Sequence, residues 1–259
     1  MPATPPPGLP ARHRDREVAQ QELGQKTWTE LEDRPRGTAL VVPLGSLEQH
    51  GPHLPLDTDT RIAVALAQRV AAERPWMLVA PPLCFGASGE HAGFPGTLSM
   101  DHAVLAGVLV ELVRSARSTF EGVVFVSGHG GNAEALRRTG ERAEQEGDRV
   151  LTWTPVVAGS DAHAGHTETS MLLALDPASV RRDRLVVGRT EPLAELWPAL
   201  RRGGVRQVSA NGVLGDPREA SAGAGEIILA TMTGELGRAV DRWWVGVAEP
   251  AGAASGSHR

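Results

Sequence analysis

Short, mostly apolar runs recur along the first two thirds of the chain. Each gives way to a polar, glycine-rich stretch and then to a segment with apolar residues at helical spacing. The runs lie at 38–42, 76–80, 123–126 and 150–153, and have the length and β-branched content of buried strands. The helical segments lie at 59–73, about 101–117, 133–145 and 167–175. Pro75 stops the first of them, and Ser99 and Asp101 stand where they would cap the second. Val104, Leu105, Val108, Leu109 and Leu112 form the apolar face of that second helix. Asn132 is placed to cap the third, and Thr167 or Glu168 to open the fourth. Strand and helix in alternation predict an α/β fold with a mostly parallel sheet covered by helices on both faces.

The flanks are less regular. Residues 1–25 are Pro-rich and then charged, which reads as a disordered arm. Thr27 and Glu30 have capping-box spacing, so a short helix through Leu31 is expected, ended by Gly37. Beyond residue 175 the pattern weakens to a short edge strand at 185–187, a glycine-rich loop at 210–217 and a last helix at about 223–244. A low-complexity, flexible tail is expected over 248–259. With no internal repeat and no linker, residues 26–247 read as a single domain.

Composition narrows the class of partner. A net charge of −5 with pI near 6.0 leaves no basic footprint for nucleic acid. Cys84 is the single cysteine, which precludes an intrachain disulfide and suits a reducing compartment. No apolar run approaches the length of a membrane span, and the N-terminus lacks the apolar core of a secretion signal. These features together predict a soluble cytoplasmic protein.

The chemistry-bearing residues gather where strands end. Between the first strand and the first helix the chain reads LGSLEQHGPHLPLDTDT, with Glu48, His50, His53, Asp57 and Asp59. In open α/β sheets that edge is where ligands bind. Singly, each residue reads better as part of a solvated loop. Together, two or more carboxylates with imidazole at this spacing suit a divalent metal. His129, in Ser-Gly-His-Gly-Gly-Asn, and His163, His166 and Glu168 occupy the corresponding places after the third and fourth strands. The loop at 81–100, which carries Glu90 and His91 among glycines, is too long to be a mere connection.

Taken together, Glu48-x-His50, Asp59, the Gly-His129-Gly-Gly-Asn segment and the His-Thr-Glu168-Thr-Ser segment resemble the creatininase family of metal-dependent amidohydrolases, over roughly residues 38–240. The resemblance implies a three-layer α/β/α subunit, a centre of two divalent metals and a homo-oligomer. It implies that Glu48 and His129 hold one metal, His50 and Glu168 the other, and that Asp59 bridges them. It makes His163 the acid/base residue and places Glu90 and His91 on the pocket wall. His53 and His166 match no ligand position, and Asp57 is expected to cap the helix. Carboxylate bridging favours zinc paired with zinc, iron or manganese.

One position departs from creatininase, which has a glutamate where this chain has Gly131. The blocks are most similar to the branch of the family found in mycofactocin biosynthesis, which implies a short modified peptide as substrate and release of a C-terminal dipeptide. Glycines 128, 130 and 131 are expected to leave room beside His129 for it, and the small residues of 81–100 to admit an extended chain. Opening of a cyclic amide, as in creatininase, and formamide hydrolysis are the alternatives within the family. A metal-binding or assembly protein without catalysis is the alternative outside it.

Overall fold

The computed structural model describes residues 21–34, 37–155 and 159–245. Four strands, β1 (Ala39–Leu44), β2 (Met77–Val79), β3 (Gly122–Ser127) and β4 (Val150–Trp153), form one sheet in the order β2-β1-β3-β4. All three pairings are parallel. The helices are α1 (Trp28–Glu32), α2 (Thr58–Ala72), α3 (His102–Ala116), α4 (Ala133–Glu146), α5 (His166–Leu175), α6 (Leu193–Val208) and α7 (Ala222–Val245).

Side chains alternate across the sheet with the two-residue period of a strand. Val41, Val79, Val124 and Val126 point into a core built with Ile62 and Leu66 of α2, Leu172 of α5, and Leu229 and Leu236 of α7. Leu40, Val42, Leu44 and Phe125 point into a second core with Leu105 and Leu109 of α3 and Leu136 of α4. Both faces are therefore covered, which is why β1 and β3 are apolar at nearly every position. The result is the three-layer α/β/α arrangement.

From β1 the chain leaves through α2 toward one edge, and from β3 it leaves through α4 toward the other. The carboxyl ends of β1 and β3 thus border a topological switch point, where a crevice opens. Two glycines let α2 close against it. A Cβ on Gly45 would lie 2.1 Å from the Thr60 hydroxyl, and one on Gly128 would lie 2.1 Å from the Asp59 carbonyl oxygen. The first turn of α2 is thereby pressed onto both strand ends.

Several expectations need correcting. The apolar face of α3 is turned: Val104 and Val108 are exposed, and Leu105, Ala106, Leu109, Val113 and Ala116 are buried. Asp101 caps α3 by accepting from the Ala103 amide, whereas Ser99 accepts from the Ser88 amide. Asn132 makes no capping bond, because its amide is spent joining the Ala87 N–H to the Gly45 carbonyl. Asp57 holds the capping position of α2 but bonds Arg61 instead. Residues 185–187 join no strand. Helix α6 was hidden by Pro198 and by a break at Gly204 (φ 69°).

The arm is shorter than expected at its inner end. Gln21 donates to the Ala71 carbonyl, Glu22 bridges to Val79, and Leu23–Gln25 form a 3-10 turn. The rest of the expected arm, residues 1–20, and the expected tail, 248–259, lie outside the described residues.

Gly128→Ala tests the close approach of α2. It is expected to cost about 1–3 kcal/mol through overpacking against backbone. A denaturant midpoint equal to that of the wild type would show that α2 can retreat without cost.

Candidate metal centre

The loop after β1, the first turn of α2, the loop after β3 and the start of α5 converge at the switch point. They bring together Glu48, His50, Asp59, His129, His163 and Glu168, with His91 and Glu90 arriving from the 81–100 loop. Glu48, His50 and Asp59 are buried, and His91, His129 and His163 are nearly so.

Asp59 sits between two imidazoles. Its Oδ1 lies 3.0 Å from His50 Nε2, its Oδ2 lies 3.2 Å from His129 Nδ1, and Ser46 donates to Oδ2 at 2.6 Å. Neighbouring carbonyls, which only accept, orient the rings. His50 Nδ1–H donates to the Glu48 carbonyl at 3.1 Å, so Nε2 faces Asp59 and, at 3.8 Å, Glu168. His129 Nε2–H donates to the Ala87 carbonyl at 3.1 Å, leaving Nδ1 toward Asp59. His163 Nε2–H donates to the Gln49 carbonyl at 2.8 Å. Its bare Nδ1 then looks between Glu48 (3.8 Å) and Glu168 (3.9 Å).

Glu48 is the anomaly of the cluster. Both carboxylate oxygens are buried, and neither has a hydrogen-bond partner among the described residues. Imidazole nitrogens approach to 3.2 Å (His91) and 3.3 Å (His129), but without the alignment of a bond. A carboxylate stripped of water and left unbonded is costly. A cation held by Glu48 would remove that cost, so the donor set fits a metal. Three groups of side chains have ligand atoms close enough to share an ion: Glu48, Asp59 and His129; His50, His163 and Glu168; and Glu48, His91 and His163.

Electrostatics follow from burial and from these pairings. Burial pushes Glu48 and Glu168 up to about 7, although neighbouring histidines pull the other way. Burial also opposes charge on Asp59, but His50 and His129 hold it well below the usual carboxylate range. His50 is pushed up to about 10, because the Asp59 carboxylate outweighs the opposing burial. His163 is lowered by burial and by the neighbouring His91 and His50.

Other residues shape the centre that the sequence did not single out. Gln49 donates to His91 Nδ1 at 2.9 Å and to the Gly212 carbonyl at 3.0 Å, tying the β1 loop to the 210–217 loop. The Asp161 carboxylate accepts from the amides of His166 and Thr167 (3.1 Å to the latter), and so sets the start of α5 and the place of Glu168. Ala164 is held at φ 52°, and its amide donates to Glu168 at 2.6 Å. Nothing local marked the distant atoms that Gln49 binds, whereas the amides that Asp161 binds lie only five and six residues on in the same loop. His91, expected on the pocket wall, lies beneath it against Glu48, whereas Glu90 stands at the rim. His53 is buried behind the cluster, bonded to Thr169, and His166 joins none of the three metal groups.

The expected room beside His129 is mostly filled. The Asp59 backbone occupies the space at Gly128. A Cβ on Gly131 would meet His129 Nε2 at 2.3 Å, the Ala87 carbonyl at 2.4 Å and Glu90 Oε1 at 2.6 Å. Gly130 alone of the three faces open space.

Residues 24–240 match the family model described as creatininase, creatinine amidohydrolase. The chain belongs to the creatininase family. It is 49% identical over 234 residues to the mycofactocin precursor peptide peptidase of Mycobacterium ulcerans (strain Agy99), covering 87% of this chain and 92% of that one. The protein of the same name from Mycolicibacterium smegmatis is 53% identical over 211 residues, covering 79% and 85%. The creatinine amidohydrolase of Pseudomonas putida is 33% identical over 241 residues, covering 80% and 91%. Among solved structures, one titled "Creatininase Mn" superposes with a TM-score of 0.70 at 27% identity, covering 86% of this chain and 98% of that one. A creatininase mutant of "Zn-Zn type" gives 0.69 at 27% identity, covering 86% and 97%.

The electrostatics carry a consequence for metal uptake. Glu48 and Glu168 near 7, and His50 near 10, keep protons in the metal-free fold that a ligand must shed. Zinc affinity is therefore expected to rise between about pH 6 and about pH 8, with protons released on binding. Calorimetry in two buffers of different ionisation enthalpy counts them. Binding without proton release would contradict the assignment.

Proposed function

We propose that this protein is a dinuclear-metal peptidase that cuts an amide bond near the C-terminus of the mycofactocin precursor peptide and releases a dipeptide. The observation that carries this reading is the 49% and 53% identity to peptidases of that name over most of both chains. The described residues, organised on one sheet, act as a single metallohydrolase domain.

In this reading Glu48 and His129 would hold one metal and His50 and Glu168 the other, with Asp59 shared between them. The unbonded Glu48 carboxylate and the Asp59 oxygens turned toward separate imidazoles support it. Solved relatives titled with manganese and with zinc support a pair of zinc ions, or zinc with manganese; iron beside zinc is the further pairing that carboxylate ligands suit. Two such ions would polarise the scissile carbonyl and provide a nucleophilic water near neutral pH.

The chain's own residues orient and move protons. His163 presents a bare Nδ1 to the cluster, while its Nε2–H is anchored on the Gln49 carbonyl. It therefore takes a proton at Nδ1 and returns it to the leaving amine nitrogen. The anti-parallel bridge between His163 and Leu214 keeps the ring from swinging away.

Incubation of metal-loaded protein with decarboxylated precursor peptide and with creatinine, followed by mass spectrometry, tests the reading. Peptide cleavage with little creatinine opening is expected, and the reverse would favour a cyclic amidohydrolase. In the same assay Glu48→Ala should lose both metal and turnover. His163→Ala should keep its metals and lose about 10²–10⁴-fold in rate. Near wild-type turnover by His163→Ala would remove that residue from the mechanism.

We further read the protein as a cytoplasmic homo-oligomer. Phe85, Leu98, Val104 and Val108 are exposed together along α3 and the 81–100 loop, an apolar surface suited to a second copy. Lone Cys84 suits a reducing compartment, and no helix among the described residues is long and apolar enough to cross a membrane. Light scattering should show more than one subunit at micromolar concentration; a monomer there would count against assembly.

A further inference from the structure

Glu90 lies at the edge of the cluster without belonging to any of its three metal groups. Its Oε1 is 3.4 Å from His129 Nε2 and 4.0 Å from His91 Nε2. Its side chain is 36% exposed, against 19% for Glu168, 2% for Asp59 and none for Glu48. Of the acids gathered here it is the one an incoming substrate meets.

The fold holds a place for this carboxylate from two sides. At the cluster, Gly131 leaves the space free: a Cβ there would lie 2.6 Å from Glu90 Oε1. His129 Nε2 at 2.3 Å and the Ala87 carbonyl at 2.4 Å would stand closer still, so the bare backbone at 131 keeps room for all three groups. Behind the loop, α6 breaks at Gly204 with φ 69°, and a Cβ there would come within 2.6 Å of the Glu90 carbonyl oxygen. Glycine tolerates both the backbone angle and the close approach. Two residues on, Arg206 donates to the Gly93 carbonyl and lies 5.3 Å over the Phe94 ring. The Gly89–His91 turn is thus gripped by a helix that contributes nothing else to the centre.

We propose that Glu90 is a catalytic residue, accepting a hydrogen bond from the hydrolytic water and aiming it at the scissile carbonyl; this rests on the hydrolase reading above. Glu90 forms no covalent bond. The water oxygen bonds the carbonyl carbon, the C–N bond breaks, and the proton released by the water passes through His163 to the leaving nitrogen. Helix α6, through Gly204 and Arg206, positions the acid.

The experiment compares Glu90→Gln and Glu90→Ala with the wild type. For the Glu90 variants kcat is expected to fall by about 10²-fold, the cost of a misaimed reactant. KM and metal content, the latter measured by elemental analysis, should stay near wild type. Wild-type kcat in Glu90→Ala, or metal loss that accounts for the fall in rate, would each overturn the proposal. If the wild-type protein leaves the peptide intact, the peptidase reading fails, and the same variants are then read on creatinine opening, where an unchanged rate overturns the role of Glu90.

Discussion

A buried carboxylate with no hydrogen-bond partner among the described residues is the constraint on which the centre depends. Both oxygens of Glu48 are in that condition, and taking such a group out of water costs several kcal/mol unless positive charge compensates it. The surrounding imidazoles offset the cost only in part, since burial still pushes Glu48 up to about 7. Divalent ions shared with His129 and Asp59 would supply the remainder. The same burial that makes the metal-free site unfavourable strengthens any electrostatic interaction made inside it.

The sheet supplies the rigidity that this arrangement needs. Glu48 and His50 follow β1, His129 follows β3, and these strands pair over six residues in register. Asn132 joins the Gly45 and Ala87 backbones across the gap. Glycines at 45 and 128 then let α2 bring Asp59 down between the two strand ends. Parallel strands buried on both faces have little freedom to slide, because a shift of one residue would turn each apolar side chain to the opposite layer.

A second set of contacts closes the centre from the C-terminal half. Gln49 reaches Gly212, and His163 pairs with Leu214 through backbone hydrogen bonds. Asp161 fixes the first turn of α5. Helix α6 holds the Gly89–His91 turn. These ties convert loops that are glycine-rich in sequence into fixed walls, and they explain how a site on so many loops can be precise.

By itself, the sequence determined the four strands, the helices between them and the strand-end placement of Glu48, His50, Asp59, His129, His163 and Glu168. Those features are local: apolar runs, helical spacing and turn residues act within a few positions of one another. The family blocks were legible for the same reason, since each lies in one loop. The tertiary structure alone decided the rest. It turned Val104 and Val108 of α3 outward, spent Asn132 on a bridge in place of a cap, and sank His91 beneath the wall it was expected to line. It also filled the space beside Gly128 and Gly131, and built α6 across Pro198 and Gly204. Each of these depends on which atoms of distant segments come within a few ångströms, and no spacing along one segment encodes that.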